Sequence, residues 1–187
     1  MEYDYVPDIV TMAKGITAGH APLSATHVKE EIASTFFGSP DRYLQHGYTY
    51  GGMAVSCAAG LATMQFIEET GLFATVESRN AEITSRLQPL ADNSPVIGDL
   101  RSHGMLFGLE LVSDKETKEV WPGPDLAEIA KKVAAVGKEL GVMLAAYEYE
   151  GKMVLVLAPP LNVTDGELDA MITALEAAVK AIEADFA

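Results

Sequence analysis

Two hydrophobic periodicities alternate along the chain, and together they predict a mixture of strands and helices. Short apolar runs bounded by Gly, Pro or polar residues are typical of strands, whereas apolar residues at three- and four-residue spacing are typical of amphipathic helices. One strand is predicted within each of residues 9–12 and 22–28, and two strands within each of residues 96–112 and 142–160. Helices are predicted within residues 29–37, 53–70, 73–90, 125–140 and 164–182. The alternation of the two element types predicts an α/β fold.

The character of the chain changes near residues 70–73, which predicts two domains. Residues 1–72 are rich in Gly and in loops between short apolar segments, whereas residues 73–187 alternate sheet-like segments with amphipathic helices. The segment 73–92 is expected to be a helix that connects the two. In the second domain, Thr164 and Glu167 form the S/T-x-x-E pattern of a capping box, which predicts the start of the last helix.

Apolarity also predicts which elements of the first domain are buried. The run Ile9–Met12 contains three large apolar side chains, and the segment 53–67 is apolar on nearly all sides. A helix without a polar face is expected to be covered on most sides. We therefore expect both the first strand and this helix to lie in the interior.

Charge and composition exclude several classes of function. The formal net charge is −14, and the 13 basic residues are scattered, which argues against a nucleic-acid-binding protein. The four histidines do not have the spacing of metal ligands, so no metal site is predicted.

The same composition predicts a soluble, cytoplasmic chain. The single cysteine, Cys57, allows no internal disulfide, and no apolar stretch reaches the length of a membrane span. The acidic N-terminal residues lack the apolar core of a signal peptide.

Lys14 is the first candidate for chemistry. It follows a predicted buried strand at once and stands between two small residues, Ala13 and Gly15, which allow a ligand to approach closely. Open α/β sheets bind ligands at the ends of their strands, and a partly desolvated lysine is a nucleophile toward carbonyl groups. The alternative is a solvated lysine in a turn.

Two further candidates carry weaker signals. The loop 46–52 contains Tyr48, Thr49 and two glycines and leads into a helix, whose N-terminus favours anions; alternatively, Thr49 is a simple helix cap. Arg101 follows a predicted strand and could bind a carboxylate, or it could pair with Asp99 or Glu110.

Four stretches of the chain resemble the class III (omega-type) aminotransferases, enzymes of fold type I that use pyridoxal 5'-phosphate. In order they are "PDIVTMAKGITAGHAPLSA", "HGYTYGGMAVSCAAGLA", "DLRSHGMLFGLEL" and "LAPPLNVTDGELDAM". The resemblance covers nearly the whole chain but only the C-terminal half of the family. It implies that residues 1–72 are the C-terminal part of the cofactor-binding large domain, with a partial parallel sheet, and residues 73–187 a small α+β domain.

The resemblance also implies a function and a set of site residues. The family transfers an amino group between an amino acid or amine and a 2-oxo acid. Lys14 would form the Schiff base with pyridoxal phosphate, and Thr49, in the same loop as Tyr48, would reach the cofactor phosphate across the interface of a homodimer. Apart from the resemblance, the position of Arg101 makes it a weak candidate for binding the substrate carboxylate.

The sequence departs from the family pattern at several points. The Gly/Ser phosphate-binding turn, the aromatic residue that stacks on the pyridine ring and the aspartate that holds its nitrogen protonated are not matched within the 187 residues. In the alignment, Ala145 replaces an arginine that binds substrate carboxylates. The alternatives are a split enzyme with a separate N-terminal half, and a truncated, non-catalytic fragment or C-terminal interaction domain.

Overall fold

The chain divides into two units, Met1–Gly71 and Leu72–Ala187, which are called unit 1 and unit 2 below. The structure is a computed structural model, and it describes residues 6–186. The N-terminal stretch that argued against a signal peptide lies largely outside these residues. Within the described part of the chain, no helix combines the length and the apolarity that crossing a membrane requires.

Unit 1 contains a small sheet, a short helix and a long helix. Strand β1 (Ile9–Met12) pairs with β2 (Ala25–Val28), helix α1 spans Glu30–Ala33, and helix α2 spans Ala54–Thr70. Gly71 ends α2 in the left-handed conformation (φ +62°), which a residue without Cβ adopts readily. These elements confirm the strand predicted at residues 9–12 and the helix predicted at 53–70.

The two strands of unit 1 run antiparallel, with Ile9 opposite Val28 and Met12 opposite Ala25. The parallel strand pairs predicted for the large domain are therefore not found among the described residues. The connection between β1 and β2 contains only a 3-10 helix, Lys14–Thr17, and no crossover helix, which parallel strands ordinarily need.

Burial in unit 1 differs from the prediction. Ile9 and Met12 of β1 are exposed, and so are most of the apolar side chains of α2, among them Val55, Leu61, Met64 and Phe66. An apolar pattern indicates that a helix or strand can be buried, but it does not show that residues of the same unit pack against it. Two short strands and the short helix α1 are too few to enclose a helix that is apolar on nearly every side.

Unit 2 is an antiparallel sheet covered by helices. Its strands are β3 (Ile97–His103), β4 (Leu106–Leu111), β5 (Ala145–Tyr149) and β6 (Lys152–Leu157), and their order is β3-β4-β6-β5. Helix α3 spans Val76–Asn93, α4 spans Gly123–Glu139, and α5 spans Asp165–Phe186. The predicted connecting helix begins three residues later than expected because Leu72–Thr75 form a 3-10 helix.

The core of unit 2 follows the two periodicities of its sequence. Alternate residues of the central strands β4 and β6 are buried, and one stripe of each helix packs on them. The buried side chains include Phe107, Leu109, Leu111, Met153, Leu155, Leu157, Ile83, Leu87, Ile129, Val133, Leu168 and Leu175.

Candidate active site

Lys14 stands at a bend in the backbone directly after β1. Ala13 is extended, and Lys14 has φ +54°, in the left-handed region that few residues other than glycine adopt. Lys14 begins the 3-10 helix Lys14–Thr17, which is called the lysine turn below. Backbone conformations of this kind cluster at functional sites, because a fold retains them only where its surroundings enforce them.

The surroundings of Lys14 are open. The side chain is exposed, and it makes no hydrogen bond or ion pair among residues 6–186. A Cβ atom built on the neighbouring Gly15 would meet nothing within 4 Å. The amine is therefore accessible to a ligand, but the partial desolvation expected from the sequence is wrong for the described residues, because Lys14 itself and the Ile9 and Met12 side chains of β1 are exposed.

The far end of the lysine turn is anchored. Thr17 is 1% exposed, and its hydroxyl donates to the carbonyl oxygen of Ala21 at 2.6 Å. Helix α2 packs against this turn at Gly60, where an added Cβ would lie 2.9 Å from Leu23 Cδ2 and 3.6 Å from the Ile16 carbonyl oxygen. Sequence reasoning missed both residues. A glycine in the middle of an apolar helix was the available signal for a close approach.

Tyr48 and Thr49 lie in an exposed turn that precedes α2. The Gly51 amide donates to the Tyr48 carbonyl oxygen at 2.9 Å, and the rings of His46 and Tyr48 meet edge to face at 4.8 Å. The residue before α2 is Met53, which makes no side-chain cap, so the alternative in which Thr49 caps the helix is wrong. Both Tyr48 and Thr49 are accessible from solvent.

The structure brings Lys14, Tyr48 and Thr49 into the same unit but, in the part of the chain that it describes, does not join them by hydrogen bonds. Among the described residues, no hydrogen bond joins the lysine turn to Tyr48 or Thr49. Unit 1 thus presents an amine and a hydroxyl-bearing loop as separate accessible groups.

Arg101 lies on β3 in unit 2 and is held by acidic neighbours. Its Nε lies 3.4 Å from Asp99 Oδ2, and one terminal nitrogen donates to Glu110 Oε2. Lys152 lies 3.7 Å from the other oxygen of Glu110. The pairing alternative for Arg101 is confirmed. Ala145 begins β5 opposite Val156, so this strand position carries no charge.

The sequence defines the family. Residues 1–179 match the family model of class III aminotransferases, and the chain belongs to this family. Enzymes of this family depend on pyridoxal phosphate. The relatives described below include an amine transaminase whose structure holds this cofactor.

Curated relatives are longer than this chain. It is 36% identical over 179 residues to the adenosylmethionine-8-amino-7-oxononanoate aminotransferase of Nitratidesulfovibrio vulgaris, which covers 95% of this chain and 32% of the relative. It is 31% identical over 190 residues to the taurine–pyruvate aminotransferase of Bilophila wadsworthia, with coverages of 98% and 41%. The chain therefore spans 32–41% of the length of these two relatives.

Solved structures show the same relationship. An (S)-enantioselective omega-transaminase from Thermomicrobium roseum superposes with a TM-score of 0.84 at 34% identity, over 97% of this chain and 39% of that one. The PLP-bound amine transaminase from an uncultivated Pseudomonas species superposes with a TM-score of 0.80 at 34% identity, with coverages of 94% and 38%. These similarities confirm the predicted partial fold type I architecture.

Proposed function

We propose that this chain takes part in the transfer of an amino group between an amino acid or amine and a 2-oxo acid, and that Lys14 is the residue that bonds to pyridoxal phosphate. Within a class III aminotransferase chain, Lys14 is an accessible amine at the end of a strand, in a left-handed turn next to open space. That observation carries the proposal.

The residues present fit the cofactor in two respects. An aldehyde needs an unpaired, accessible amine, which Lys14 supplies, and room beside it, which Gly15 leaves. When bound, pyridoxal phosphate supplies the electron sink for removing a proton from the carbon that bears the amino group. Lys14 would hold the cofactor through its Nζ, and its free amine would move this proton as a general base and then as a general acid.

We propose a homodimer in which Thr49 of one copy binds the cofactor phosphate in the site of the other. No hydrogen bond of the described residues joins Thr49 to Lys14 within one copy, which fits a role across an interface. The loop also exposes the aromatic side chains of Tyr48 and Tyr50, and exposed apolar surface favours association. Tyr48 is assigned to the cofactor site with Thr49.

We assign the residues that hold the pyridine ring to polypeptide that the relatives have and these 187 residues do not span. Residues 1–72 then form the C-terminal part of the cofactor-binding domain. The remaining part belongs to the same polypeptide or to a separate N-terminal half.

Trapping the cofactor on the chain tests the role of Lys14. The 187-residue chain is incubated with pyridoxal phosphate, reduced with borohydride and digested, and the labelled peptide is identified by mass spectrometry. Lys29 provides the matched control, since it lies in unit 1 but is ion-paired with Asp8 at 2.6 Å. We expect Lys14→Ala to lose most of the label and Lys29→Ala to keep most of it. Equal labelling of the parent and Lys14→Ala contradicts the assignment.

A second candidate function is a non-catalytic interaction module. The exposed apolar side chains of α2, among them Val55, Leu61 and Phe66, support it, because such a surface binds another protein face. Size-exclusion chromatography with light scattering separates the two candidates. A complex that forms without cofactor uptake at Lys14 supports the module, whereas a dimer that is labelled at Lys14 supports the enzyme.

A further inference from the structure

We propose that Thr17 is a positioning residue, whose buried hydroxyl holds the lysine turn in the conformation that presents Lys14. The inference rests on the proposed function, in which Lys14 is the reacting amine. It concerns how the chain places that amine.

The interior of unit 1 is built around the lysine turn. Among its described residues, only Thr17, Ser56 and Gly60 are buried, and they lie where the turn and α2 pack together. Gly60 allows the helix backbone to approach the Ile16 carbonyl oxygen and Leu23. Helix α2 therefore packs on the far end of the turn that begins with Lys14.

The hydroxyl of Thr17 closes the loop that follows this turn. It donates to the Ala21 carbonyl oxygen at 2.6 Å, and the His20 amide donates to the Thr17 carbonyl oxygen at 3.0 Å. Because Thr17 is buried and Ala21 is half-buried, removing the hydroxyl leaves the Ala21 carbonyl without this donor at a place where water has limited access. The hydroxyl thus fixes the loop end of the turn.

The strained backbone of Lys14 explains why an anchor is needed. Lys14 and Ala18 both have positive φ, +54° and +48°, at the two ends of the turn. Such a conformation persists only where both sides are held. On one side, Met12 pairs with Ala25 in the sheet; on the other, Thr17 is buried and hydrogen-bonded.

Loss of the Thr17 hydroxyl would change the direction in which the Lys14 side chain points. A lysine that relaxes to the ordinary helical φ of about −63° changes the direction of its side chain relative to β1. Valine fills nearly the same space as threonine but has no hydroxyl, so Thr17→Val tests the hydrogen bond alone. Thr17→Ser restores the hydroxyl.

The experiment compares labelling at two lysines of the same molecule. The full 187-residue chain is labelled with pyridoxal phosphate and borohydride over a pH series, and the ratio of label on Lys14 to label on Lys29 is measured. We expect Thr17→Val to lower this ratio about fivefold, the loss of one net hydrogen bond, and to change its pH profile, with Thr17→Ser restoring both. The matched control is Thr26→Val, an exposed threonine on β2, which should leave the ratio unchanged.

The outcomes separate the positioning role from the proposed function. If Thr17→Val is less stable but keeps the parent ratio and pH profile, the positioning role is overturned while Lys14 keeps its assignment. If the parent is not labelled at Lys14, the proposed function fails. Hydrogen exchange at the amides of Ala18 and His20 then tests whether the Thr17 hydroxyl holds the turn. Faster exchange in Thr17→Val than in Thr26→Val supports it, and equal rates refute it. Should Thr17→Val not fold, Thr17→Cys, a weaker donor, takes its place.

Discussion

The amide of Thr164 donates to Glu167 Oε2 at 2.9 Å, and the amide of Glu167 donates back to Thr164 Oγ1 at 3.3 Å. The Thr164 hydroxyl also donates to the same carboxylate at 2.7 Å. This reciprocal pair begins α5 and confirms the predicted capping box. It satisfies amide groups that the first turn of a helix cannot pair internally.

The capping box should make stability depend on pH in the acid range. The backbone hydrogen bond from Thr164, followed by that from its hydroxyl, lowers the pKa of Glu167 below its usual 4.5. The stabilisation is therefore fully present above pH 4.5 and is lost as the pH falls through the lowered pKa of the folded state. Glu167→Gln removes this titration. We expect the difference in unfolding free energy between parent and variant to shrink as the pH falls below 4.5.

Fluorescence of Trp121, the single tryptophan, measures this difference during denaturant unfolding, because its side chain is buried in unit 2. The parallel measurement on Glu176→Gln, later in the same helix, controls for the loss of a charge. A difference that stays constant over the whole acid range would show that Glu167 does not titrate with folding.

Lys115 should stabilise the end of α3. Its Nζ donates to the carbonyl oxygens of Ala91, Asp92 and Ser94 at 2.5, 2.9 and 3.1 Å. A cation at the C-terminus of a helix satisfies unpaired carbonyls and complements the helix dipole. We expect Lys115→Met to lower the unfolding free energy by about 1–3 kcal/mol, measured by Trp121 fluorescence in urea.

The control for Lys115 is Lys131→Met on α4, where an exposed lysine pairs with Glu128. Exposed ion pairs contribute little, so this variant should change stability by less than about 1 kcal/mol. Equal effects of the two variants would mean that the three carbonyl contacts do not stabilise the fold.

Gly137 should not tolerate a side chain. A Cβ atom at this position would lie 2.6 Å from the Val142 carbonyl oxygen and 3.0 Å from Leu144 Cβ. The nearest atom belongs to the backbone, so it cannot move aside cheaply. We expect Gly137→Ala to destabilise unit 2 by about 1–3 kcal/mol in urea unfolding, in spite of the higher helix propensity of alanine.

Gly123→Ala is the matched substitution in the same helix, since a Cβ there would meet nothing within 4 Å. It should leave stability unchanged or raise it slightly. The prediction fails if both alanines have the same effect.

Lys14 should be strained independently of its chemistry. Lys14→Gly and Lys14→Ala both remove the amine, but only glycine adopts φ +54° without crowding its Cβ. We expect the glycine variant to be more stable than the alanine variant by about 1 kcal/mol. The Lys29 amide donates to the Asp8 carbonyl oxygen in unit 1. Its hydrogen exchange should be slower in Lys14→Gly than in Lys14→Ala.

The relative stability of the glycine and alanine variants should be the opposite at Gln65, an exposed residue within α2. There glycine should be the less stable replacement by about 1 kcal/mol, because alanine is the better helix former. If glycine is also less stable at position 14, the left-handed backbone of Lys14 is not a source of strain.

The sequence by itself determined the elements whose signals are local. The strands within residues 96–112 and 142–160, the capping box of Thr164 and the position of Lys14 after β1 depend on neighbouring residues only, and all three were predicted. Four motifs in order also sufficed to recognise the family.

Tertiary structure alone decided what depends on distant parts of the chain. Ile9 and α2 were predicted to be buried because they are apolar, yet they are exposed, since burial requires partners that a local pattern does not contain. The left-handed φ of Lys14 and the anchoring of Thr17 beside Gly60 arise where a sheet, a turn and a helix pack together. Arg101 had two acceptable roles in the sequence. The register of β3 on β4 places Asp99 opposite Glu110 and so forms the ion pairs, whereas binding of a substrate carboxylate by Arg101 stays a prediction.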